Sequence, residues 1–168
     1  HLIWQKALGG SRFDLLEAIE QTSDSGYIAV GYSNSNDGDV SGHHGSTNRG
    51  DVWLVKISSN RNSQWQKSFG GLQNENAFSI KQTTEGGYIF AGYSNSNDGD
   101  VSGHHGDTLL QNDMWIVKID SIGNLQWQKS LGGSYNEEAN SILQTTDGGY
   151  IVAGYTRSND GDVTGIHN

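Results

Sequence analysis

Two aspartates flank a single glycine in the stretch YSNSNDGDVSGHHG, which runs from Tyr32 to Gly45 and places Asp37 and Asp39 either side of Gly38. The same letters return from Tyr93 to Gly106 with Asp98 and Asp100. A variant, YTRSNDGDVTGIHN, runs from Tyr155 to Asn168 with Asp160 and Asp162. Oxygen-bearing side chains alternate ahead of the glycine: Ser33, Ser35 and Asp37; Ser94, Ser96 and Asp98; Thr156, Ser158 and Asp160. Such a pattern can wrap a hard cation, and carboxylates with hydroxyls and carbonyls suit Ca²⁺ better than softer metals. The expected ligands are Asp37 and Asp39, Asp98 and Asp100, and Asp160 and Asp162, assisted by Asn36, Asn97, Asn159 and backbone carbonyls. The early positions are Ser rather than Asp and no Glu closes the loop, so this is not an EF-hand. The plain alternative is a solvated Asp-Gly turn. The expected role is structural, since a loop with so few apolar side chains has little else to order it.

Histidines follow each acidic pair: His43 and His44, His104 and His105, and His167. Adjacent histidines can hold Zn²⁺ or Ni²⁺, but neighbours on an extended chain point to opposite faces, so they read as exposed loop residues. Glu75, Glu137 and Glu138 read as a solvated rim. No serine-nucleophile motif, phosphate-binding loop or HExxH zinc motif is present, and the chain is expected to be non-catalytic.

These loops need a scaffold, and its period is plain. WQKALGG, WQKSFGG and WQKSLGG begin at Trp4, Trp65 and Trp127. TSDSGYIAVGYS, TTEGGYIFAGYS and TTDGGYIVAGYT begin at Thr22, Thr83 and Thr145, while DVWLVKIS and DMWIVKID begin at Asp51 and Asp113. Each unit reads as four strands, typified by residues 77–83, 88–94, 114–120 and 125–131. Gly-rich turns suit the hairpins, and the acidic loop joins the second strand to the third. YIAVGY and VWLVKI are continuous apolar runs, expected to be buried on both faces. WQKSF alternates and reads as an outer strand. FDLLEAIEQ, from Phe13 to Gln21, has helical propensity, but its counterparts from Asn74 and Asn136 do not, so all three read as strands.

The 168 residues include 24 Gly, five Trp and seven Tyr, with no Pro and no Cys. That suits an aromatic-cored, turn-rich β protein without disulfides or thiolate metal sites. Trp53 and Trp115 are expected in the core, and Trp4, Trp65 and Trp127 between neighbouring units. The formal charge of −9 repels phosphate backbones and disfavours nucleic acid as a partner. No apolar run reaches membrane-spanning length, so no membrane insertion is expected.

The fold class is all-β, a β-propeller-type array of four-stranded antiparallel blades, with a stacked β-solenoid as the alternative. One repeat array covers 1–168, in units 4–64, 65–126 and 127–168. The last unit lacks its third strand, and eleven strands are expected in all. TTDGGYIVAGYT, SNDGDVTG, WIVKID and GNLQWQKSLGG resemble the tandem propeller repeats, about sixty residues each, of secreted bacterial and archaeal surface proteins, common in Bacteroidota and often placed ahead of a secretion or sorting domain. The turn DSIGNLQW is similar to those of quinoprotein-type propellers, with a tryptophan spacing one residue different. The resemblance implies a propeller fold and an extracellular, cell-surface location, and no settled activity.

The expected function is therefore a calcium-stabilised binding or surface-display module. Alternatives are a self-assembling subunit of an extracellular filament or tube, and a carbohydrate-binding lectin. Expected partners are copies of the chain, the rest of a longer chain, or a glycan or surface protein.

Overall fold

The computed structural model describes residues 3–165, so His167 lies outside the described residues. Ten antiparallel strands form three sheets, and no helix occurs among the described residues. The first sheet contains β1 (Asp14–Gln21), β2 (Tyr27–Ser33), β3 (Asp51–Ile57) and β4 (Ser63–Phe69), in that order. The second repeats it with β5 (Glu75–Gln82), β6 (Tyr88–Ser94), β7 (Asp113–Ile119) and β8 (Leu125–Leu131). The third holds β9 (Glu137–Gln144) and β10 (Tyr150–Thr156).

Each first hairpin closes on a short polar turn, with the Thr22 N–H donating to Gly26 O at 2.9 Å and Thr83 and Thr145 repeating the bond. The window with helical propensity, Phe13 to Gln21, is β1 from Asp14 onward, as its repeat copies require. A bulge between Leu16 and Ala18 recurs between Ala77 and Ser79 in β5. Local propensity loses here to cross-strand hydrogen bonds that only the repeated hairpin supplies.

One expected strand is missing. Residues 4–10 form no strand: among the described residues no strand pairs with them as β3 pairs with β4 and β7 with β8. The segment still packs: Trp4 lies 5.9 Å from the Tyr27 ring, and Leu8 covers a cluster of Val40, Trp53, Val55 and Ile57. Trp65 and Trp127 make the matching contacts, at 6.1 Å to Tyr88 and 5.7 Å to Tyr150, each reaching from one sheet to the next.

The core lies between sheets. β5 packs across β1, β2 and β3, and β9 packs across β5, β6 and β7. Ile28, Val30, Val52 and Leu54 meet Ile80, Phe90, Trp115 and Val117 in one cluster, while Ile89, Ala91 and Ile116 meet Ala139 and Ile142 in the next. β2, β3, β6 and β7 are buried almost throughout, whereas β4 and β8 stay half exposed, as their apolar runs and alternation predict. Trp53 and Trp115 are each 1 % exposed. Trimming either to Ala removes a packed aromatic and costs about 4 kcal/mol.

Candidate functional site

The recurrent polar residues assemble at the junctions between strands and between sheets. The Gly-Gly pair that precedes each first strand is the seat. In the first unit the Ser11 N–H donates to Asp37 Oδ1 at 2.8 Å, and the Gly9 N–H to Asp39 Oδ2 at 3.1 Å. In the second, Leu72 N–H donates to Asp98 Oδ1 at 2.8 Å and Gly70 N–H to Asp100 Oδ2 at 3.2 Å. In the third, Ser134 N–H donates to Asp160 Oδ1 at 2.8 Å, while the Asp162 N–H donates to Gly132 O at 2.8 Å. The acidic loop thus folds back over the Gly-Gly turn. A Cβ on Gly10 would lie 2.6 Å from both Asp37 O and Ser35 Cβ, which explains the glycine that recurs there as Gly71 and Gly133. The Ser11 N–H holds Asp37, and the Ser134 hydroxyl with its N–H holds Asp160, below the ordinary carboxylate range.

The loops are therefore held by their own hydrogen bonds and buried side chains. Val40 and Val101 are buried, and Ser35 and Ser96 accept the Arg12 and Gln73 N–H groups at 3.0 and 2.9 Å. Asn36, Asn97 and Asn159 are all exposed, and Asn97 Oδ1 accepts the Gly103 N–H at 3.0 Å. Among the described residues no three acidic or histidine side chains converge as a metal-holding group, so any cation would draw its remaining oxygens from hydroxyls, amides and carbonyls.

Two expectations about side chains are overturned. The glutamates at the strand starts are not a solvated rim: Glu75 and Glu137 are both 0 % exposed. Glu75 Oε2 accepts the Gly71 N–H at 3.0 Å, and Ser94 Oγ donates to Oε1 at 2.7 Å. Glu137 repeats this with Gly133 N–H at 3.0 Å and Thr156 Oγ1 at 2.8 Å. Asp14 takes the same place in the first unit, accepting the Gly10 N–H at 2.7 Å. Each acid binds the turn N–H groups that the Gly-Gly bend leaves unpaired, which is why it is buried. Glu138 alone stays near the surface, where it accepts the Tyr155 hydroxyl at 2.9 Å.

The histidines are not simply exposed either. The His43 and His104 side chains are 1 % and 0 % exposed, and His44 and His105 are about one third exposed. Behind them stand Asp51 and Asp113, fully buried at the first positions of β3 and β7. His44 lies with Nδ1 2.7 Å from Asp51 Oδ2 and its N–H donates to the same oxygen at 2.8 Å, while its Nε2 faces Asp100 Oδ2 of the next loop at 3.6 Å. His105 repeats this between Asp113 Oδ2 at 2.7 Å and Asp162 Oδ2 at 3.8 Å. An imidazole thus stands between a buried carboxylate of one sheet and the acidic loop of the next.

Burial pushes Asp51, Glu75 and Asp113 above the ordinary carboxylate range, and the nearby Asp51 adds to the rise at Glu75. The bond to Asp113 raises His105, whereas burial lowers His104. A Cβ on Gly132 would lie 2.6 Å from both Asp113 Oδ1 and Glu137 Oε2, so the two buried acids approach the same glycine. Asp51 Oδ1 and Asp113 Oδ1 make no hydrogen bond.

The sequence reading missed Asp51, Asp113, Glu75 and Glu137. Two signals marked them: an acid four residues beyond each Gly-Gly pair, and an aspartate opening each VWLVKI-type strand. No protein-family model matches the chain, and no curated protein matches it.

Proposed function

We propose that the chain is a non-catalytic repeat scaffold whose sheets are blades of a β-propeller-type array, serving as a binding or surface-display module at the cell exterior. One observation carries this reading. The polar residues that recur from unit to unit are tied to the fold itself: Asp37, Asp98 and Asp160 to turn N–H groups, Glu75 and Glu137 to the Gly-Gly bends, His44 and His105 to Asp51 and Asp113. Residues that repeat build the frame, and chemistry grafted on a frame tends to break the repeat. A crystal structure or solution scattering profile tests the blade arrangement, and surface labelling of intact source cells tests the location. Sheets stacked in a straight solenoid, or a chain shielded inside the cell, would overturn the corresponding half.

Calcium enters this proposal in a reduced role. An ion at Asp37 and Asp39, Asp98 and Asp100, or Asp160 and Asp162 would sit beside carboxylates already held by N–H groups, adding stability rather than chemistry.

A second reading, self-assembly into a filament or tube, is favoured by the third sheet. Among the described residues Ile151 is 57 % exposed where its counterpart Ile89 is fully buried, and β10 pairs along one edge only. Open edges and apolar sheet faces are templates for further chains. Sedimentation and electron microscopy decide it: growth with concentration supports assembly, and a monomer at high concentration excludes it.

A further inference from the structure

The place where the repeat is broken most visibly is a cleft between the first and second sheets. It encloses about 370 Å³ and is lined by Phe13, Leu15, Tyr32, Asn74, Asn76 and Tyr93. The equivalents of Phe13 and Leu15 in the second unit are Asn74 and Asn76, so the first unit alone contributes an apolar wall. Phe13 is 63 % exposed and Leu15 39 %, although an aromatic in this position could have been avoided by repeating the amide. The Phe13 ring leans against Tyr32 at 6.1 Å and 58°. Tyr32 in turn rests on Gly50, where any Cβ would collide with the ring; the second unit has Asn112 at that place.

The opposite wall is polar and fixed. Asn74 Oδ1 accepts the Gly50 N–H at 3.1 Å and Asn76 Oδ1 accepts the Ala77 N–H at 2.8 Å. Each bond fixes the orientation of its amide and turns the NH₂ group outward from the accepting oxygen as a donor. A second lobe of about 430 Å³ shares Phe13 and Tyr32 and is lined also by Arg12, Asn34, Thr47 and Asn48.

The matching position between the second and third sheets is lined by charged groups instead. There Glu138 replaces Asn76, accepts the Tyr155 hydroxyl at 2.9 Å and the Asn112 amide at 3.2 Å, and Arg157 lies 6.0 Å from the Tyr155 ring. The first cleft therefore combines three aromatic side chains and two amides with no charged side chain among its six lining residues, on a chain of net charge −9.

Such a lining discriminates. A cationic ligand would be expected to find a carboxylate, and an anionic one a guanidinium or ammonium; this cleft has neither in its first lobe. Flat apolar faces beside hydroxyl-matching donors fit a ring that is apolar on its C–H face and polar at its rim. We propose that this cleft binds a neutral saccharide, with Phe13 and Tyr32 against a pyranose face and the Asn74 and Asn76 amides donating to its hydroxyls. The second lobe receives the adjoining ring of an oligosaccharide. The assignment rests on the binding-module reading above and names its ligand class.

Titration of the ¹⁵N-labelled chain with maltopentaose, cellopentaose and laminaripentaose, and separately with a polyproline peptide, tests it. At least one sugar is expected to shift the side-chain amide signals of Asn74 and Asn76. Phe13→Asn with Leu15→Asn copies the second unit's own pattern and should fold with an unchanged melting temperature, yet weaken that sugar about tenfold, the loss of roughly one stacked ring. Glu138→Gln, at the charged counterpart, should leave the affinity unchanged. Silence with all three sugars overturns the proposal, as does unaltered affinity in the double variant. Shifts with polyproline alone replace the saccharide by an extended peptide. Sugar bound elsewhere on the surface overturns the cleft but leaves the binding module standing, whereas release of new reducing ends would leave the cleft standing and sink the non-catalytic reading.

Discussion

The two histidine junctions are built from the same letters and are not equally well made. At the first, His43 Nε2 lies 2.9 Å from Arg49 O and 3.9 Å from Asp51 Oδ1. At the second, neither ring nitrogen of His104 has a hydrogen-bond partner, and its Nδ1 stands 3.8 Å from Asp113 Oδ1. The loop that returns to the strand is one residue longer there: Asp51 follows His44 by seven positions, and Asp113 follows His105 by eight. With the longer return, no backbone carbonyl comes within hydrogen-bond distance of the His104 ring. A buried polar group without a partner costs free energy, so the first junction is the tighter of the two.

Removing the buried carboxylates should break this contrast most forcefully. Asp51→Ala strands the His44 N–H and ring and is expected to cost about 3 kcal/mol; Asp113→Ala, at the looser junction, about 2 kcal/mol. Urea unfolding of the two variants measures both, and equal losses would mean that the histidine contacts do not distinguish the junctions. Next in size is a pair of opposite signs. His43→Leu loses a bond and should destabilise by about 1 kcal/mol, while His104→Leu removes two unpartnered nitrogens and should be neutral or stabilising. Thermal melts of the two proteins decide it.

Acidification sharpens the comparison further. Asp51, Glu75, Asp113 and His105 all have folded pKa values above their unfolded ones, so the stability they contribute is fully present below the unfolded values and fades as pH rises through the folded ones. Asp24, Asp37, Glu85, Asp120, Asp147 and Asp160 are lowered, chiefly by hydrogen bonds, and their contribution is lost below about pH 4. The melting temperature should therefore rise by a few degrees from pH 8 to about pH 5 and fall again below about pH 4. His104 opposes this, because its lowered pKa makes its contribution present above about pH 6.5 and lost below it. His104→Leu should steepen the gain on acidification, which melts across the same range would show. A flat profile would contradict the raised values.

Calcium has the smallest expected effect. At a free concentration equal to Kd it adds about 0.4 kcal/mol to folding if it binds only the native chain, and less if the N–H bonds to Asp37 and Asp98 must first yield. Asp98→Asn with Asp100→Asn should blunt any rise in melting temperature on adding Ca²⁺. A melting curve indifferent to both Ca²⁺ and EDTA would leave the loops as turns clamped by their own backbone.

Much of the frame was legible in the letters. The sixty-residue period, the strand type of each segment, the hairpin turns, and the burial of VWLVKI against the exposure of WQKSF all follow from periodicity and turn chemistry, which act over a few neighbouring residues. Even the helical propensity of Phe13 to Gln21 was correctly overruled by its two repeats. Tertiary structure alone decided the rest. Residues 4–10 read as a strand, yet a strand exists only where a partner edge is offered. Glu75 and Glu137 read as surface acids, because charge favours water until a bent backbone presents N–H groups that nothing else can satisfy. His43 and His104 read as exposed, because neither pattern nor spacing tells that a loop will fold back over the strand that follows it. The cleft at Phe13 and Tyr32 joins residues from two units that lie far apart in sequence, and only the packing of one sheet on the next brings their chemistry together.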